Sequence, residues 1–183
     1  MSRLKGYTCY LAGPIDESPD RGVDWRVEIT QFLHQLDIGV FNPCDKPTEH
    51  SEDEMFVNSV KHYKEIGRYT KVAELVKPII SQDLHMVDLS NFVILHVDKR
   101  LHMCGSYSEI TYAALEHKTC LIHCEQSISQ IPSWLFGLCD PSMFFDKWED
   151  LKEYIVHIDK SIGEVQGWRF IDYSKVWGHP TPR

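Results

Sequence analysis

No apolar run in this 183-residue chain approaches the roughly 20 residues that a bilayer-spanning helix needs. The opening segment Met1-Ser2-Arg3-Leu4-Lys5-Gly6-Tyr7 turns into a strand-like run without a signal-peptide core. A cytoplasmic location without a membrane partner is therefore expected. Positive charge is also scarce. Lys and Arg number 19 against 27 Asp and Glu, for a net charge of −8. That balance argues against a nucleic acid polymer as partner, because such proteins carry a basic face. It leaves room for a small anionic ligand, which a helix N-terminus or a single cation can hold.

Several chemical signatures are missing. The chain has no G-x-G-x-x-G fingerprint, no P-loop, no G-x-S-x-G elbow and no H-E-x-x-H helix. Its six cysteines (Cys9, Cys44, Cys104, Cys120, Cys124 and Cys139) are scattered, mostly within apolar runs. They read as buried thiols of a reducing compartment. His123 lies between Cys120 and Cys124, but no second ligand pair follows at zinc spacing. No metal and no organic cofactor is expected. Repeats and low-complexity blocks are absent as well.

What is present describes one soluble α/β domain over residues 1–183. Hydrophobic residues make up 43% and charged residues 25%, ordinary for a chain with a substantial core. Residues 7–12 read as a buried first strand that Gly13-Pro14 ends. Residues 24–36 place Trp25, Ile29, Phe32, Leu33 and Leu36 on one helical face. Val40-Phe41 starts a second strand, and Asn42-Pro43 stops it. Residues 55–77 look helical, with a break near Gly67; Pro78 interrupts the pattern and residues 80–89 resume it. A strand at 91–97, a loop at 98–106, a helix at 107–117, a strand at 119–124 and a last amphipathic helix at 147–159 follow.

Strands alternating with helices predict a doubly wound parallel sheet of about five strands with helices on both faces. The segment at about 44–79 is too long for an ordinary connection and reads as a helical insert. Its charges (Glu49, Glu52, Asp53, Glu54, then Lys61, His62, Lys64) suit a solvated helix or a lid. The extension at about 160–183 is aromatic, and Trp168, Phe170, Tyr173 and Trp177 read chiefly as a cover for part of the core.

Two loops draw attention. Tyr10-Leu11-Ala12-Gly13-Pro14-Ile15-Asp16 ends a strand in a turn where Gly13 allows close approach of a ligand, or simply a sharp bend. Cys104-Gly105-Ser106-Tyr107-Ser108-Glu109 follows the 91–97 strand and opens a helix with Glu109 in its first turn. Such a carboxylate can be a nucleophile, a base or a helix-dipole partner. Ser106 as N-cap with Glu109 three residues on also fits a capping box. Asp83 reads equally as a helix-surface carboxylate, and Tyr10 as a core aromatic.

Taken together, Tyr-Leu-Ala-Gly-Pro (10–14), Gln82-Asp83-Leu84 and Gly105-x-x-x-Glu109 with its Ala-rich helix resemble the nucleoside 2-deoxyribosyltransferase family. That family includes nucleoside 5′-monophosphate N-glycosidases. The resemblance covers residues 7–16 and about 80–150, and hardly touches 17–79. It implies a flavodoxin-like, Rossmann-like fold and cleavage of the N-glycosidic bond of a nucleoside or its monophosphate. It implies Glu109 as the nucleophile at C1′, Asp83 as the group assisting the leaving base, and Tyr10 as the group holding the nucleophile. Gly13, Pro14, Ile15, Gly105, Ser106 and Ser133 are then expected along the sugar or phosphate. A homodimer or higher oligomer with shared active sites is expected too.

Two departures shift the expectation. Transferases of the family carry an aspartate six residues before the nucleophile, and Met103 stands there. They also borrow an asparagine before the last helix, where this chain has Pro132-Ser133-Trp134-Leu135. Both departures favour monophosphate hydrolysis over base exchange, with Lys99 and Arg100 as candidate phosphate attractors. A catalytically silent nucleotide-sensing module on the same fold is the alternative reading.

Overall fold

The computed structural model describes residues 2–15, 18–45 and 54–170. Asp16, the acidic residues Glu49, Glu52 and Asp53, and the tail aromatics Tyr173 and Trp177 lie outside these residues.

Five parallel strands form one sheet: β1 (Thr8–Ala12), β2 (Gly39–Phe41), β3 (Phe92–Val97), β4 (Thr119–Cys124) and β5 (Phe144–Phe145). Their order is β2-β1-β3-β4-β5. This is the flavodoxin-like order, with its topological switch point between β1 and β3. Every residue of β3 and β4 is buried, as expected when helices cover both faces of a parallel sheet.

Alternation along the strands divides the core in two. Cys9, Leu11, Phe92, Ile94 and Leu121 face α1 (Val23–Gln35) and α6 (Trp148–Lys160). Tyr10, Ala12, Val93, Leu95 and Ile122 face the other layer. That layer holds α3 (Tyr69–Leu89), α4 (Cys104–Leu115) and α5 (Ser133–Leu138), which contribute Val87, Ile110, Ala113 and Leu135. Burying one such aliphatic side chain contributes about 1.5–3 kcal/mol. Helix α2 (Glu54–Glu65) packs on α3. Trp168 is buried in the α1/α6 layer, and Phe170 packs against that core, so the described part of the extension covers the core as expected. No helix among the described residues is long and apolar enough to cross a membrane.

The strands β1, β3 and β4 and the helices α1 and α6 fall within a residue or two of the sequence expectation. Other elements differ, among them α5, which the sequence reading does not place. Helix α3 runs unbroken through Pro78, so the expected interruption is corrected. The half-buried stripe Val72, Leu75, Val76, Ile79, Asp83 and Met86 stays in phase on both sides of Pro78, which is itself exposed. Continuous packing on one face outweighs one missing N–H on the other. The break near Gly67 is real, because Gly67 takes a left-handed φ of 69° between α2 and α3. Helix α4 starts at Cys104 instead of residue 107, which changes the site described below. The fifth strand is only Phe144-Phe145, too short to show a period.

Pro78→Ala restores a backbone donor and removes a ring clash at an exposed position of α3. It is expected to stabilise the protein by about 1–3 kcal/mol, a rise of several degrees in melting temperature. Calorimetry checks this; an unchanged or lower melting temperature would contradict a continuous α3.

Candidate active site

Three elements bring Tyr10, Asp83 and Glu109 together. Tyr10 is the third residue of β1, is fully buried and faces the α3/α4 layer. Both α3 and α4 pack against β1 and against each other. Each runs against the strand direction. Asp83, six residues before the end of α3, lies about 9 Å from that end. Glu109, five residues into α4, lies about 7–8 Å below its start. Tyr10, two residues before the end of β1, lies about 7 Å below the carboxyl edge of the sheet. Tyr10 and Glu109 therefore lie at similar depth below the carboxyl edge beside the β1/β3 switch point, where doubly wound sheets bind ligands, and Asp83 is near enough for its charge to act on Tyr10.

The electrostatics agree with this convergence. The Tyr10 phenol is pushed well above its ordinary pKa, first by burial and then by the charges of Glu109 and Asp83; Arg26 pulls the other way. The Tyr10 oxygen is buried and meets no acceptor in strict hydrogen-bond geometry, although the Glu109 carboxylate approaches it closely enough to raise the pKa further. A neutral phenol thus faces a carboxylate as a ready donor. Glu109 and Asp83 are each half-buried.

The expected cap at Ser106 is corrected. The N-cap of α4 is Met103, no side chain caps the helix, and no acidic residue lies in its first turn. Gly105 and Ser106 belong to that first turn, Ser106 is buried, and Glu109 sits one turn further in. The Met103 side chain thus leaves the first N–H groups of α4 uncapped, which suits an anion. A Cβ added at Gly105 would meet nothing within 4 Å. Glycine in a helix costs about 0.5–1 kcal/mol relative to alanine, so packing does not explain this one.

Gly13 is different. A Cβ there would lie 2.7 Å from Trp25 Cζ2 and 3.2 Å from an Arg26 nitrogen, so the fold itself requires glycine. Pro14 is buried and Ile15 half-buried in the same loop. Beyond β3, Arg100 grips Asp98 through Nε at 2.9 Å and Nη2 at 2.7 Å, and this pairing holds the Asp98 carboxyl below its ordinary pKa. Arg100 is thus engaged by Asp98, and Lys99 by Gln130. Ser133 is exposed at the first residue of α5, a helix that packs on α4.

Sequence reasoning missed Arg26, Asp98 and the pair His96–His123. Arg26 had a visible signal, because it shares the helical stripe of Ile29 and Leu33, the other buried residues of α1. His96 and His123 lie directly opposite each other in β3 and β4. Their Nδ1 atoms are 2.9 Å apart, so one ring donates and the other accepts. Trp148 stacks on His123 at 3.7 Å between ring centroids, and Trp25 lies 5.1 Å from His96. The two rings help position Trp25, and Trp25 fills the space that Gly13 leaves open.

No protein-family model and no curated protein matches this chain. Solved structures do resemble it. One is a 2-deoxyribosyltransferase from Bacillus psychrosaccharolyticus, with a TM-score of 0.58 and 16% identity over 80% of this chain and 91% of that one. Another is a 2-desoxiribosyltransferase from Leishmania mexicana, with a TM-score of 0.53 and 20% identity over 82% and 97%. A third is a conserved protein from Enterococcus faecalis V583, with a TM-score of 0.53 and 15% identity over 83% and 98%. At these identities the likeness is one of fold: this chain has the α/β fold that deoxyribosyltransferases use.

The histidine pair carries a prediction about pH. Burial, then the Arg26 charge, lowers His96 to about 4; burial, then His96, lowers His123 to about 3. Below the unfolded value near 6.5, the unfolded chain binds protons that the folded chain refuses. Stability is therefore fully present above about pH 6.5 and falls as pH drops toward 4, by at most about 1.4 kcal/mol per group per pH unit. Melting temperatures of the wild type should drop between pH 7 and 4.5 more steeply than those of His96→Leu/His123→Leu. Equal slopes would contradict the neutral pair.

Proposed function

We propose that this protein cleaves the N-glycosidic bond of a nucleoside or nucleoside 5′-monophosphate through a covalent glycosyl-Glu109 intermediate. The observation that carries this reading is the meeting of one buried phenol, Tyr10, with two carboxylates from separate helices, Glu109 and Asp83. Glycosyl transfer needs a carboxylate to trap an oxocarbenium-like centre and a second acid to help the leaving group. In the first step Glu109 forms a bond to C1′ as the bond from C1′ to the base nitrogen breaks. Asp83, in its protonated form, delivers a proton to the departing base and is left as the carboxylate. Tyr10 donates to the Glu109 oxygen and orients it. In the second step water attacks C1′ as the bond from C1′ to Glu109 breaks; the proton of the water passes to Asp83, which restores the acid, and the Glu109 carboxylate is freed.

Gly13, Pro14, Ile15, Gly105, Ser106 and Ser133 are assigned to the sugar and phosphate side. The uncapped start of α4 and the open space at Gly105 suit a 5′-phosphate there. Met103, the N-cap of α4, is buried and brings no negative charge that would repel a phosphate dianion. Hydrolysis of a monophosphate is therefore favoured over base exchange.

Incubation with dCMP, dGMP, CMP and the matching nucleosides, with and without an acceptor base, tests the proposal by chromatography of released base. Free base from a monophosphate without acceptor is the expected result. Glu109→Gln should lower the rate by about a thousandfold or more. Gly105→Ala should raise the melting temperature slightly, by about 0.5–1 kcal/mol of stability, while lowering kcat/KM. Nucleotide binding without any turnover would favour the sensing module, and wild-type rates in Glu109→Gln would remove the nucleophile.

A further inference from the structure

A guanidinium with no solvent exposure lies behind the loop that follows β1. Arg26 is 0% exposed. Its Nη1 donates to the carbonyls of Gly22 at 2.8 Å and Pro14 at 3.4 Å, its Nη2 to Gly13 at 2.9 Å, and its Nε to Leu11 at 3.3 Å. Its carbon also sits 4.5 Å over the Trp25 ring. All four acceptors are backbone oxygens of β1 or of the β1–α1 loop, the loop that carries Gly13, Pro14 and Ile15. Burying a cation is costly unless hydrogen bonds and nearby negative charge compensate it. Carbonyl dipoles supply the first of these, and the carboxylates of Glu109 and Asp20 contribute to the second.

We infer that Arg26 is the positioning residue of this site: its planar fork fixes the β1–α1 loop, and its charge acts on Tyr10 and Glu109 from behind. The kinetic part of this inference rests on the proposed glycosidase chemistry; the electrostatic part does not. Burial lowers the Arg26 pKa, while Cys44, Tyr10, Glu109 and Asp20 act to raise it. The interaction is mutual, so the guanidinium favours the ionised Glu109 carboxylate as much as the carboxylate favours the guanidinium. Arg26 also opposes the upward push that the two carboxylates exert on Tyr10, and it adds to the downward shift of His96. A lysine could carry the charge, but it could not present a rigid fork to four carbonyls at once.

Two variants separate charge from geometry. Arg26→Met removes both, and Arg26→Lys keeps only the charge. The readouts are thermal melting for folding, a carbon-13 NMR titration of the Glu109 side chain assigned with Glu109→Gln, and kcat and KM for base release. In folded Arg26→Met the Glu109 titration should move upward by about half a pH unit or more, with kcat falling about tenfold or more. In Arg26→Lys the titration should stay near the wild-type position while KM rises about fivefold or more. An unmoved Glu109 titration in folded Arg26→Met overturns the electrostatic role. If Arg26→Met does not fold, Arg26→Lys decides: wild-type KM overturns the positioning role, and a raised KM with an unmoved titration supports it. Absence of base release by the wild type removes the glycosidase reading and leaves the Glu109 titration as the judge of Arg26.

Discussion

The candidate site depends on a buried cation held by neutral oxygens. Arg26 gathers the carbonyls of Leu11, Gly13, Pro14 and Gly22 around one planar group. That gathering ties the end of β1 to the start of α1 and holds the loop between them. Neighbouring features follow from it. Gly13 must be glycine because Trp25 and Arg26 occupy the space beside it. Trp25 packs on His96, His96 bonds His123, and Trp148 stacks on His123. A chain of indole and imidazole rings thus runs through the α1/α6 layer beside the buried Arg26.

In the proposed mechanism the other face of the sheet supplies the chemistry. Tyr10 points away from Arg26's helix into the layer of α3 and α4, so β1 presents a different function on each side. Its backbone carbonyls serve the loop, and its phenol serves the carboxylates. Because α3 and α4 both pack against β1, residues far apart in sequence arrive beside Tyr10. Asp83 comes up from the end of a helix and Glu109 comes down from the start of another. This is what a parallel sheet with helical crossovers offers to a reaction that needs two acids around one centre.

Much of this was legible in the sequence, and the gaps have physical causes. Strands β1, β3 and β4 announced themselves as short apolar runs, and α1 and α6 as amphipathic periods. The site trio came from short motifs whose order resembled a known family; propensity alone left Glu109 as a cap or a dipole partner. The start of α4 was misplaced because Cys104-Gly105-Ser106 reads as loop chemistry, whereas packing of Ile110 and Ala113 extends the helix back to Cys104. Pro78 by itself predicts a break, whereas a stripe in phase on the opposite face carries α3 through it. Arg26 is hard to single out because an arginine on a helix is normally solvated; its place in the buried stripe with Ile29 and Leu33 is the signal. The two-residue β5 had no period to find.

Trapping the glycosyl-enzyme tests the central claim most directly. A 2′-deoxy-2′-fluoro nucleoside 5′-monophosphate slows both steps, because fluorine destabilises an oxocarbenium-like centre. Intact-protein and peptide mass spectrometry after a rapid acid quench would then read the adduct. The account predicts a mass gain of one fluorodeoxyribosyl phosphate on the peptide that contains Glu109. Release of base with no adduct, or with an adduct on any other residue, would contradict it.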